Sequence, residues 1–169
     1  MHRIALLTVL AATLILSACG FRLRGTFDTP LPFDTLHIAL PATSELRSAL
    51  KRSIEAAGKT RIVDDPKVAQ AVLSVQGDSQ QKNILSLSAA GRVREFQLVR
   101  TFGFRLHDLK GHDFMPPGTI VVRRDITFSD ELVLAKESEE ALLWRDMQSD
   151  LVQQLLRRLA AAKPQAATE

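Results

Sequence analysis

The chain reads as an α+β two-layer sandwich, with two helices on one face of a mostly antiparallel sheet. Two observations predict this. Apolar residues recur with a helical period near residue 50 and again from about residue 135 to 159, and between them, over residues 60–128, the period changes to two. The resulting order is strand, helix, several strands, helix. No internal repeat at solenoid spacing interrupts it.

The first strand is Thr35 to Leu40, where Leu36, Ile38 and Leu40 alternate with Thr35, His37 and Ala39 until Pro41 stops it. Ser44 is placed to cap a helix running to about Ala57, with Gly58 as its terminator. Leu46, Leu50 and Ile54 form its apolar face, and Arg47, Lys51, Arg52 and Glu55 lie elsewhere on the wheel. Thr60 to Val63 is a brief strand. Val68 to Gly77 alternates loosely, and Ile84 to Ser88 sets Leu85 and Leu87 together, with Ser79-Gln80-Gln81-Lys82-Asn83 read as a loop. The clearest strand is Arg94 to Leu106: Phe96, Leu98, Phe102, Phe104 and Leu106 share a face that Arg100 interrupts. After turns at Gly111 and Pro116-Pro117-Gly118, Thr119 to Phe128 aligns Ile120, Val122, Ile126 and Phe128, with Arg124 interrupting. These two long strands read as an antiparallel pair. The last helix starts near Ala135; Trp144, Met147, Leu151, Leu155 and Leu159 step by three or four, and Arg157 and Arg158 favour its C-terminal end.

The N-terminus carries a different signal. His2 and Arg3 precede an apolar run from Ile4 to Leu16, too short for the roughly 20 residues that span a bilayer. Leu16-Ser17-Ala18-Cys19 closes it and resembles the bacterial lipoprotein signal, against the alternative of an ordinary secretory signal with a coincidental cysteine. The resemblance implies cleavage before Cys19, a diacylglyceryl group on its thiol and an acylated amine. At about 0.8 kcal/mol per buried methylene, three acyl chains anchor a protein for good. Lipoproteins with Asp after the cysteine stay at the inner membrane; Gly20 stands there, which points to the outer membrane of a Gram-negative cell. The expected organisation is a signal peptide over residues 1–18, a lipidated anchor and extended arm over 19–34, the sandwich over 35–162 and a disordered tail over 163–169.

Of 169 residues, 151 follow residue 18, enough for one domain with a real core. Without Arg3, 21 Lys and Arg face 19 Asp and Glu, a balance too even to argue for nucleic acid. Cys19 is the only cysteine, so neither an internal disulfide nor a thiolate metal site can form. His107-Asp108 and His112-Asp113 flank a turn and read as solvated loop pairs rather than metal ligands. No nucleophile elbow, phosphate loop or dinucleotide fingerprint is present, and Ser79, Ser86 and Ser88 have no base nearby in sequence. No catalytic residue, cofactor or metal is expected. Arg92, Arg94, Arg100 and Arg105 surround one strand, and Arg123 and Arg124 sit on the next. Paired strands would gather these guanidiniums to hold anionic headgroups. The same residues also read as a solvated basic face balanced by Glu95 and Asp125, with Arg100 and Arg124 snorkelling past an apolar face.

Three motifs in order resemble the LPS-assembly lipoprotein (LptE) family. They are Cys19-Gly20-Phe21-Arg22-Leu23-Arg24-Gly25, Arg94-Glu95-Phe96-Gln97-Leu98, and Leu134-Ala135-Lys136-Glu137 with the later Met147 and Leu155 to Leu159. The resemblance implies two helices on a four-stranded sheet, anchored in the inner leaflet of the outer membrane and facing the periplasm. It implies a non-catalytic plug that assists assembly of the lipopolysaccharide-transport β-barrel and binds lipopolysaccharide. Lys136 falls on the family's Leu-Ala-Lys-acid position and is the leading lipopolysaccharide contact, with Arg92 and Arg94 as further candidates. The strand tip departs from the family pattern: Ala89 stands where some relatives carry a basic residue, and Arg92 is a nearby substitute. The competing reading is a free-standing, periplasm-facing lipoprotein binding module of another transport complex.

Overall fold

The computed structural model describes residues 30–163. Cys19, the expected signal peptide, most of the expected arm and nearly all of the expected tail lie outside those residues. The element order is β1 (Thr35–Ala39), α1 (Glu45–Ala56), β2 (Arg61–Ile62), β3 (Ala71–Leu87), β4 (Val93–His107), β5 (Gly118–Thr127) and α2 (Val133–Ala160).

The two-layer α+β architecture is as expected, but the sheet has five strands rather than four and is mixed rather than mostly antiparallel, in the order β2-β1-β3-β4-β5. The fifth strand is the two-residue β2. It lies parallel to β1 because α1 carries the chain back across the sheet, the connection a parallel pair requires. β3 is also parallel to β1, with Leu36 opposite Ala71 and Ile38 opposite Leu73. Only β3–β4 and β4–β5 are antiparallel.

Local chemistry sets the boundaries of α1. Ser44 Oγ accepts the backbone N–H of Arg47 at 3.3 Å, and Gly58 follows the helix at φ +86°, a conformation that favours glycine. Leu46, Leu50 and Ile54 face inward. In α2, Met147, Leu151, Leu155 and Leu159 recur every fourth residue and are fully buried. They meet Leu98, Phe102, Phe104 and Leu106 of β4 and Ile120, Val122 and Ile126 of β5 in a single core. All of these β4 and β5 residues are even-numbered, so both helices cover the same face of the sheet. Leu31 and Phe33, within the expected arm, are buried in that core, where Phe33 packs on Phe114 with ring centroids 5.0 Å apart.

β3 overturns one expectation. The stretch Ser79–Asn83 is the middle of a continuous 17-residue strand, paired from Ser79 opposite Thr101 to Asn83 opposite Gln97. β1 ends at Ala39, so beyond Ser74 this strand borders only β4. Residues 76–85 are exposed, and a strand with so little to bury carries no apolar alternation. Register shifts around Gln76 and Leu85 bulge it, a device that blunts a sheet edge against unwanted pairing.

Candidate functional site

The sandwich has two poles. At one, the chain enters through Leu31 and Phe33 beside the β4–β5 connection. At the other, the β3–β4 hairpin turns at Ser88–Arg92. There Ser88 and Arg92 exchange backbone and side-chain hydrogen bonds, and Gly91 takes φ +74°. The end of β5 arrives at the same pole, since Glu95 is opposite Thr127 and the Phe128 N–H donates to the Arg94 carbonyl at 2.7 Å. A 3₁₀ turn, Asp130–Leu132, then leads into α2.

This pole brings the three candidate lipopolysaccharide contacts together. Arg92 and Arg94 line a cleft of about 200 Å³ with Ser88, Val93, Phe128, Ser129 and Glu131. Lys136, in the first turn of α2, donates from Nζ to Thr127 Oγ1 at 2.9 Å and to Glu139 Oε2 at 2.8 Å. Its side chain is only 18% exposed. The ammonium is therefore held against the end of β5, beside a carboxylate that an incoming anion must displace or neighbour.

The other strand arginines do not join this cluster. Arg100 is buried but does not snorkel: its Nε and Nη2 bind both carboxylate oxygens of Asp78 at 3.1 and 2.8 Å, and Nη1 donates to Gln148 Oε1 at 3.2 Å. A guanidinium on an apolar face needs such a fork of acceptors, because an unpaired charge there is costly. Arg124 is likewise held, by Asp150 and Asp146 of α2. The hydrogen bond that Arg124 donates to the Asp150 carboxylate is the chief cause that raises its pKa above the ordinary arginine value. Lys82 donates to Glu140 at 2.6 Å and lies 4.3 Å from the Phe96 ring centre. These residues form a polar seam between the sheet and the middle of α2, from Glu140 to Asp150. Arg105 belongs to the opposite pole, bonded to Asp113 at 2.5 Å. Arg123 is exposed on the helix-free face of the sheet.

The histidine–aspartate turn organises itself. Asp108 accepts the backbone N–H groups of Lys110 and His112, each at 2.8 Å, and the His112 ring lies 3.0 Å from its second oxygen. Partial burial pushes the Asp108 carboxyl up, but the hydrogen bonds from His112 and Lys110 prevail and hold it below its usual value. Among the described residues, no group of three or more His, Cys, Asp or Glu is placed to hold a metal. Ser74 and His107 meet at 2.7 Å on the helix-free face, an arrangement their distance in sequence hid. The other ring nitrogen of His107 faces the Asp108 backbone carbonyl at 2.7 Å, so no carboxylate orients the imidazole as in a catalytic triad.

Sequence reasoning also missed the apolar surroundings of the basic pole. Ile84, Leu85 and Leu87 on β3 and Leu132, Val133 and Leu134 leading into α2 are all exposed. The two apolar runs are visible in the sequence; their exposure at one end becomes visible only with the topology.

The fold is that of small bacterial lipoproteins. The chain is 38% identical to lipoprotein B of Nitrosomonas europaea, whose solution structure it matches with a TM-score of 0.72 over 84% of this chain and 91% of that one. Rare lipoprotein B of Shewanella oneidensis matches at 26% identity with a TM-score of 0.64, over 75% of this chain and 94% of that one. Residues 33–159 match the LptE family, described as lipopolysaccharide-assembly. The LPS-assembly lipoprotein LptE of Yersinia enterocolitica is 32% identical over 94% of this chain and 76% of its own length. That of Pectobacterium atrosepticum is 31% identical over 94% and 85%. The chain belongs to the LptE family.

Proposed function

We propose that the protein is an outer-membrane lipoprotein of lipopolysaccharide assembly, anchored through acyl chains on Cys19 and facing the periplasm. In this reading it plugs and assists the assembly of the β-barrel that carries lipopolysaccharide into the outer leaflet, and it binds lipopolysaccharide on the way. It performs no chemistry on that ligand. The observation that carries the reading is the family match over residues 33–159, joined by relatives named LPS-assembly lipoprotein that align with 94% of the chain.

The basic pole supports the ligand half of the reading. Lipid A phosphates are paired anions, and Arg92 and Arg94 both line one cleft. Lys136 supplies an ammonium at the same end of the sheet. The test is affinity purification of the tagged full-length chain from gently solubilised membranes, followed by mass spectrometry. A large outer-membrane β-barrel recovered in near-equal amount is the expected result. A lipoprotein recovered alone, or with soluble partners only, would sink the plug assignment in favour of a free-standing binding module.

A further inference from the structure

The exposed apolar residues of this molecule are not scattered. Ten large apolar side chains stand open among the described residues, and six of them lie on the segments that form the basic pole, with exposures from 40% at Val133 to 81% at Leu134. Pairing register fixes them there: Ile84 is opposite Phe96, Leu87 is opposite Val93, and Glu95 is opposite Thr127, five residues before Leu132. Single exposed leucines are ordinary on a protein surface, but a concentration of them marks an interaction site.

The charges at this pole say what kind of occupant fits. Arg92, Arg94 and Lys136 would be driven together if a second copy docked tip to tip, so like-charge repulsion argues against a homodimer here. The cations alone are also partly cancelled, because Glu131 shares the cleft with the two arginines and Glu139 already holds Lys136. An anion bound here displaces or neighbours carboxylates, so charge cannot supply most of the affinity. A ligand that brings apolar chains along with its phosphates gains the remainder from burial of the leucines.

We infer that the tip holds lipopolysaccharide by both halves of its chemistry: the apolar residues of late β3 and early α2 take acyl chains while Arg92, Arg94 and Lys136 take the phosphates. This rests on the function proposed above and deepens it by assigning an acyl-chain subsite. The occupant is a single lipid molecule rather than a membrane surface.

The test compares retention of intact lipopolysaccharide, and of lipopolysaccharide stripped of its acyl chains by alkaline hydrolysis, on the purified full-length chain. Leu87 and Leu134 are exposed, so the double variant Leu87→Gln/Leu134→Gln leaves the core intact. It is expected to bind intact lipopolysaccharide at least about tenfold more weakly than the parent and the stripped form equally well. The charge variant Arg94→Glu/Lys136→Glu is expected to weaken both. If the leucine variant retains intact lipopolysaccharide like the parent while the charge variant loses it, the acyl subsite is wrong and the ligand reading stands. If the parent binds neither form, the ligand reading itself fails and the subsite with it. If phosphatidylglycerol vesicles bind as tightly as lipopolysaccharide, with the same dependence on the leucines, the tip recognises an anionic bilayer and the single-lipid assignment is overturned.

Discussion

The two halves of α2 are attached to the same sheet by different balances of apolar and polar contact. From Met147 to Leu159 the helix sinks Met147, Leu151, Val152, Leu155, Leu156 and Leu159 into the core. From Val133 to Asp146 it has no buried residue among those described. That half is held mainly by Lys136 to Thr127, Glu140 to Lys82 and Asp146 to Arg124, with only the partly buried Leu143 and Trp144 packing against the core. Apolar burial is indifferent to salt and direction, whereas partly exposed ion pairs are weak and screened. One helix thus joins a firmly fixed half to a half that can open locally, and the openable half is the one beside the basic pole.

The largest effect that can test this contrast is expected from Leu155→Ala, which removes a fully buried side chain and should cost about 3 kcal/mol of global stability in urea unfolding. Next comes Asp78→Ala, which strips Arg100 of its carboxylate while leaving the guanidinium buried. A loss of about 3 kcal/mol or somewhat less is expected, because Asp78 itself is 31% exposed; a neutral result would mean that the Arg100–Asp78 pair contributes nothing to the seam. Lys82→Ala should cost less than about 1 kcal/mol globally. Its signature is local: faster amide exchange over residues 133–143 with residues 147–159 unchanged. Raising salt from about 0.1 to 1 M, which shortens the screening length from about 10 to 3 Å, should reproduce that pattern more faintly in the unaltered protein. Equal acceleration in both halves would erase the distinction.

Elements that bury one continuous face were legible in the sequence. The four-residue step of Met147, Leu151, Leu155 and Leu159, and the alternation from Phe96 to Leu106, each record a single buried side. The centre of β3 was not legible, because Ser79–Asn83 hydrogen-bonds like a strand while exposing its side chains. The parallel setting of β1 was hidden for a related reason, since five residues carry too little pattern to state their neighbours. At the site, Arg92, Arg94 and Lys136 could be named from motif and strand position. The seam could not, because Lys82 meets Glu140 across 58 residues and Arg124 meets Asp150 across 26. Arg100 shows the limit most plainly: its interruption of an apolar face was visible, but the acceptors that make the interruption tolerable lie on another strand and on α2.

The length of β4 has a consequence for reach. Its 15 residues, at about 3.3 Å each, span roughly 50 Å from Val93 at the hairpin to His107 near the place where the chain enters the domain. A bilayer with its headgroups measures about 40–45 Å. The strand thus sets the basic tip, with Arg92 and Arg94, about one bilayer thickness away from the pole where Leu31 and Phe33 are buried, so the two ends of the domain cannot contact the same small ligand at once.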